Sequence, residues 1–163
     1  GEGFFLLKRS YRQGNDQKCV YLKRMVTHSN RTYEAYYGWL NGTEYTRNPV
    51  VVSTHSGIAG VDSKLKLSMT SEEYTYDVKY IGKVTSCIII TRKTKSKTKE
   101  CMMWVRDYFA KQETRLQECY EEYDKLSCKT VEEPYRKASN CPALNSVLPI
   151  ATTVETGNKW CNV

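Results

Sequence analysis

Lys64-Leu65-Lys66-Leu67-Ser68-Met69 alternates polar and apolar residues without a break. A period of two puts Leu65, Leu67 and Met69 on one face of a strand and both lysines on the other, so the segment reads as part of a sheet with one wet face. Working outward from it, β-branched and aromatic residues recur between turn clusters and predict seven more strands: Phe4–Tyr11, Lys18–Val26, Arg31–Leu40, Pro49–Thr54, Tyr74–Ile81, Ser86–Arg92 and Cys101–Arg106. Turn signals separate them at Gly14-Asn15-Asp16, Ser29-Asn30, Asn41-Gly42, Gly57 to Gly60, Thr70-Ser71 and Gly82.

Past Tyr108 the period changes. Leu116, Cys119, Tyr120, Tyr123 and Leu126 fall at helical spacing with Glu118, Glu121, Glu122, Asp124 and Lys125 between them, an amphipathic stripe that must lie on something. Eight sequential antiparallel strands followed by one such helix predict an all-β fold with one C-terminal α-helix. The strands close into an eight-stranded antiparallel up-and-down β-barrel, leaving no exposed edge, and the helix packs outside. The whole chain, 1–163, reads as a single domain: barrel 4–107, helix about 113–128, and an irregular tail 134–163 rich in Ser, Thr, Asn and Pro. Eight strands leave a lumen suited to one small ligand.

Composition narrows the function classes. The 163 residues carry 25 Lys plus Arg against 18 Asp plus Glu, a formal charge of +7. Apolar runs such as Phe4 to Leu7 and Cys87 to Ile90 fall far short of the ~20 residues of a membrane helix. Thirteen Tyr, three Trp and three Phe argue against disorder. Seven cysteines without a CxxC or CxxH pair, and only His28 and His55 to help, lack zinc-ligand spacing, so no metal and no cofactor is expected. Their wide separations read as disulfides of an extracellular protein, which the sequons at Asn30 and Asn41 fit. A chain that opens at Gly1 with no initiator Met or signal peptide and reaches an apolar strand by Phe4 leads us to expect an N-terminal segment before Gly1, which could carry the partner of the odd thiol. No nucleophile with a base, paired acids or phosphate loop is evident, so an enzyme is not expected. Nucleic acid is not an expected partner either, because the basic residues are spread over strands and one loop. That loop, Arg92 to Lys99, reads as a solvated tip that repels edge partners or as a polyanion (heparin) patch.

The order Phe4-Phe5-Leu6-Leu7-Lys8-Arg9-Ser10-Tyr11, Cys19-Val20, Cys87-Ile88-Ile89, Met102-Met103-Trp104, a helical Cys119 and then Cys141 resembles the salivary lipocalins of ticks, the histamine-binding protein family. The resemblance covers Phe4 to Cys141. It implies a lipocalin-like barrel with a C-terminal helix, secreted to trap host mediators such as histamine, serotonin, leukotrienes and other lipids. Members usually carry a helix before the first strand, which this chain lacks. The resemblance also implies the disulfides Cys19–Cys141 and Cys87–Cys119. Of the remaining Cys101, Cys128 and Cys161, we expect Cys101 to pair with Cys161 and so anchor the tail.

Amine-binding members resemble one another in Cys-Asp followed later by Glu-Leu-Trp, two acids that face the pocket. Ile88 and Met102 stand at those positions here, which removes the charges that would neutralise a buried ammonium. Tyr11 and Asp77 match other pocket positions of that group, so one amine site could survive in part. If Ile88 and Met102 face inward, pleat parity takes Ile90, Arg92, Glu100, Trp104 and Arg106 with them, and Tyr11 brings Phe5, Leu7 and Arg9. Trp39 or Leu40 completes the wall; parity leaves that choice open. An apolar lumen with arginines suits a long-chain anion, a leukotriene or fatty acid. The same residues can also be read as plain core with arginines at wet strand ends. The expectation is therefore a monomeric scavenger of a small hydrophobic or amphipathic host ligand, with two alternatives. One is a histamine or serotonin binder; the other is an immunomodulatory effector that meets a host receptor through its outer surface, with a lipid or sterol filling the lumen.

Overall fold

The computed structural model describes residues 2–29, 31–56, 62–138 and 140–147. Eight long strands, β1 (Gly3–Arg9), β2 (Lys18–Ser29), β3 (Thr32–Asn41), β5 (Asn48–Ser56), β6 (Asp62–Ser68), β7 (Glu73–Ile81), β8 (Cys87–Lys93) and β9 (Lys99–Arg106), and a two-residue β4 (Glu44–Tyr45) form one antiparallel sheet. Its order is β2-β1-β9-β8-β7-β6-β5-β3-β4, and a further β2–β3 pairing closes the barrel. β4 carries no periodic signal in two residues, and it exists because the chain turns back at Gly42, whose φ of 63° favours a residue without Cβ.

Two apolar layers follow from strand alternation. Leu6, Val20, Ala35, Val50, Val52, Leu65 and Leu67 face inward with Tyr76, Ile90, Met102 and Trp104. Phe5, Leu7, Tyr21, Ile89, Met103 and Val105 face outward, beneath the segments that follow the barrel. Those segments are a 3-10 turn over Glu113–Leu116, the helix α1 (Gln117–Asp124), and a single turn α2 (Leu144–Val147). The helical stripe does what its spacing predicts: Leu116, Cys119 and Tyr123 are fully buried against the outer wall.

Disulfides fasten this outer layer. Cys19–Cys141 and Cys87–Cys119 are both present. The expected Cys101–Cys161 bridge is not formed: Cys101 pairs with Cys128. Cys101 lies on the outer face of β9, and the residues after α1 run past it and bring the Cys128 thiol to it. Cys161, Asn30 and the turn Gly57 to Gly60 lie outside the described residues, whereas Asn41 is exposed at the end of β3.

Candidate functional site

The lumen narrows from a polar mouth to an apolar floor. At the floor, Phe4, Leu22, Tyr33, Leu65, Ile88 and Ile90 enclose a cavity of about 40 Å³. Nearer the mouth lies a vestibule of about 270 Å³, on whose wall stand Tyr11, Trp39, Tyr74, Tyr76, Arg92 and Met102. Tyr37, Leu67 and Trp104 line both spaces and form a waist, with the Tyr37 and Trp104 ring centroids 6.5 Å apart. Trp39 rather than Leu40 faces in, because Gly38 beside it turns outward against Thr46, where a Cβ would meet the Thr46 carbonyl oxygen at 2.2 Å.

Arg92 sets the electrostatics of the mouth. Its Nε donates to Glu100 Oε2 at 2.5 Å, and its guanidinium lies 4.7 Å from the Tyr74 ring and 5.6 Å from that of Tyr76. Burial is the largest single influence and works against its charge, but the Glu100 hydrogen bond together with the electrostatic pull of Tyr76, Glu100 and Tyr11 more than offsets it, and the pKa is raised. Among the described residues no acceptor meets its two Nη groups, so they remain available on the vestibule wall. The phenols around it are neutral: burial pushes Tyr76 up to about 12 and Tyr11 higher still. Tyr11 donates its hydroxyl to Met102 Sδ at 3.2 Å, and Tyr74 donates to Glu72 at the rim.

Arg9 also turns inward, but it is already engaged. It is fully buried, lies 5.4 Å from the Tyr11 ring, donates Nε to Glu132 Oε2 at 2.5 Å and Nη1 to Gln17 Oε1 at 3.2 Å. Glu132 arrives on the strap after α1, which bridges to the end of β1 through paired backbone bonds of 3.0 and 3.1 Å. Burial alone would raise the pKa of Glu132. The hydrogen bonds from Lys137 and Arg9 win and hold the carboxyl below its usual range.

Of the residues chosen from sequence, Tyr11, Trp39, Ile88, Ile90, Arg92, Met102 and Trp104 come together around the lumen, with Arg9 beside it. Three do not. Leu7 lies on the outer face with Phe5, because a register shift between Leu6 and Lys8 places two successive residues outside before Arg9 returns inward. Lys8 confirms the geometry, reaching over the Tyr120 ring of α1 at 4.8 Å. Asp77 points outward: it pairs with Lys64, with Lys79 3.9 Å away, while its neighbours Tyr76 and Val78 face in. The Lys64 hydrogen bond lowers its pKa accordingly. Arg106 sits at the floor end, bound to Glu2, and its Nη1 donates to the Val84 carbonyl at 3.5 Å. Glu100 to Arg106 spans six residues of strand, about 20 Å from the mouth. The selection missed Tyr74 and Tyr76, which extending the Leu65 and Leu67 pattern across the β6–β7 pairing would have found. It also missed Gln17 and Glu132, which belong to irregular segments without periodicity.

Among the described residues, no cluster of three His, Cys, Asp or Glu side chains could hold a metal, and no helix is long and apolar enough to cross a membrane.

A closed barrel with an apolar floor, an aromatic waist and a polar rim is a small-molecule-binding lipocalin. The model of the tick histamine-binding protein family matches residues 1–142, and the chain belongs to that family. Among solved structures it is similar to AM182 in its serotonin complex, at 14% identity and TM-score 0.65, over 86% of this chain and 85% of that one. It is also similar to japanin from Rhipicephalus appendiculatus bound to cholesterol, at 13% identity and TM-score 0.58, over 83% of this chain and 94% of that one. At such identities the likeness concerns the fold. No curated protein sequence matches the chain.

Proposed function

We propose that this chain is a secreted scavenger that holds an anionic long-chain lipid of the host, an eicosanoid or a fatty acid, in its barrel. The observation that carries this reading is Arg92, whose two Nη groups meet no described acceptor on the wall of a vestibule that leads to an apolar floor. A carboxylate placed there gains charge-assisted hydrogen bonds while its chain is desolvated below. A chain longer than the vestibule passes the waist between Tyr37 and Trp104 to reach the Ile88 and Ile90 floor. With Ile88 and Met102 in the lumen wall, the two positions that carry acids in amine-binding relatives supply no counter-charge here.

One observation favours a second reading, that of an amine binder. Glu72 and Glu100 stand at the rim among Tyr74, Tyr76 and Trp39, and aromatic faces with carboxylates attract cations. Arg92 already occupies the face of Tyr74, however, and would repel a second cation. Titration calorimetry with a leukotriene, a fatty acid, cholesterol, histamine and serotonin tests the order. The anionic lipids should bind most tightly. Submicromolar histamine or serotonin binding without lipid binding would overturn the reading.

A further inference from the structure

The hairpin that joins β8 to β9 takes no part in the lumen, and its chemistry is unlike that of the other described turns. Lys93 and Lys99 stand directly opposite each other in the register, a like-charge pair that weakens the ladder on its own. Between them the hydroxyls knit together: Thr94 Oγ1 is 2.8 Å from Ser96 Oγ, which is 3.2 Å from Thr98 Oγ1, and the Thr98 N–H donates to Thr94 Oγ1 at 3.1 Å. The Lys97 N–H closes the turn on the Thr94 carbonyl at 2.9 Å. The loop is thus ordered by its hydroxyls, and Lys93, Lys95 and Lys97 are left exposed. Among the described residues, no carboxylate lies within ion-pair distance of these three or of Lys129.

Neighbouring elements extend the charge into a ridge. Lys99 Nζ donates to the Leu126 carbonyl at 2.9 Å, and the Cys101–Cys128 bridge holds exposed Lys129 beside the same edge. On the other flank, Lys66 of β6 pairs in register with Thr75 of β7. The pairing of Asp77 with Thr91 carries Thr75 alongside Lys93. Lys93 and Lys99 therefore share one lateral row of the outer face with Lys66, whose own charge is paired with Glu73 at 2.8 Å, with strands about 4.8 Å apart.

We propose that this ridge binds a sulfated polysaccharide of the glycosaminoglycan class. A linear array of ammonium groups on an ordered hairpin matches a linear array of sulfates, and binding would relieve the repulsion between Lys93 and Lys99. The tip lacks what other polyanions need. It has no apolar side chain to enter a bilayer, and Val84, the most exposed large apolar residue described, is at the opposite end of the barrel. It has no aromatic face on which a nucleic-acid base could stack.

Heparin binding by surface plasmon resonance at physiological salt tests the proposal with two variants of equal charge. Lys93→Gln/Lys95→Gln/Lys97→Gln should lose tenfold or more in affinity and show a shallower dependence on salt, because fewer counterions are released. Lys18→Gln/Lys83→Gln/Lys111→Gln, three exposed lysines elsewhere, should change less than twofold. If the first variant does not fold, Lys95→Gln/Lys97→Gln replaces it and should lose at least threefold. Equal losses in both sets would show diffuse charge attraction and overturn the site. Binding to phosphatidylserine vesicles as tight as to heparin would overturn it in favour of a membrane surface.

Discussion

Arg9 at the end of β1 and Glu132 on the strap after α1 form a buried ion pair 123 residues apart in sequence, with Nε donating to Oε2 at 2.5 Å. The pair ties the post-helix strap to the side of the lumen, since Arg9 also lies over Tyr11, whose hydroxyl meets Met102 on the vestibule wall. The strap is held further by Lys137, which bridges Glu132 Oε1 at 3.1 Å and Asp16 Oδ1 at 2.9 Å.

Glu132→Gln should cost about 3–5 kcal/mol of unfolding free energy, because it leaves the Arg9 guanidinium buried without its counter-charge. Urea denaturation at neutral pH measures it, and a loss under about 1 kcal/mol would show that the strap is not coupled to the barrel.

The same pair predicts an acid dependence. The folded pKa of Glu132 is depressed, so its contribution is fully present above the unfolded value near 4.3 and is lost as pH falls through the folded value. Denaturation midpoints taken from pH 6 down to pH 3 should fall in the wild type, and Glu132→Gln should remove part of that fall. An unchanged slope in the variant would assign the acid sensitivity to other carboxylates.

Much of this was legible in the sequence, and the boundary has a physical cause. Perfect alternation in Lys64–Met69 fixed which side of β6 is wet, and the same rule put Ile88, Ile90, Met102 and Trp104 on one wall. It failed at Leu7 because one bulged residue reverses parity, and nothing in Phe4-Phe5-Leu6-Leu7-Lys8 marks where the extra residue goes. Arg106 shows a different limit. It shares a face with Arg92, as parity requires, but parity says nothing of height along the lumen, and Glu2 captures it at the floor end. Glu132 was out of reach because irregular segments have no period to extrapolate, and the Cys101 partner because chain distance does not report spatial distance past a helix end.

Removing the third bridge should destabilise the fold by about 3–4 kcal/mol on the loop-entropy model, for a sequence separation of 27. Cys101→Ser/Cys128→Ser measured by guanidinium denaturation checks the magnitude. Non-reducing peptide mapping checks the connectivity, and a Cys101–Cys161 peptide as the major species would contradict it.

Gly38→Ala should also be costly. Its new Cβ would meet the Thr46 carbonyl oxygen, which the Tyr21 hydroxyl also bonds at 2.6 Å, so neither the backbone nor the ring can give way freely. Overpacking of this kind costs about 1–3 kcal/mol, read as a fall in thermal midpoint of several degrees. An unchanged midpoint would show that the segment around Thr46, between β4 and β5, moves aside.

The arginines make the ligand reading decidable. Arg92→Ala removes the free Nη donors and should weaken an anionic lipid by about 2–5 kcal/mol, while a neutral sterol loses little. Arg106→Ala should change neither, since that side chain is committed to Glu2 at the far end of the lumen. Because Arg92→Ala also strips Glu100 of its partner, Glu100→Gln is the sharper test. It removes the internal competitor for the guanidinium and lowers the negative charge of the rim, so anion affinity should rise and amine affinity should fall. The two ligand classes move in opposite directions under one substitution, and calorimetric titration of a leukotriene and of serotonin against both proteins reads the sign. A gain for serotonin, or a loss for the leukotriene, would place the recognition chemistry on the carboxylates rather than on Arg92.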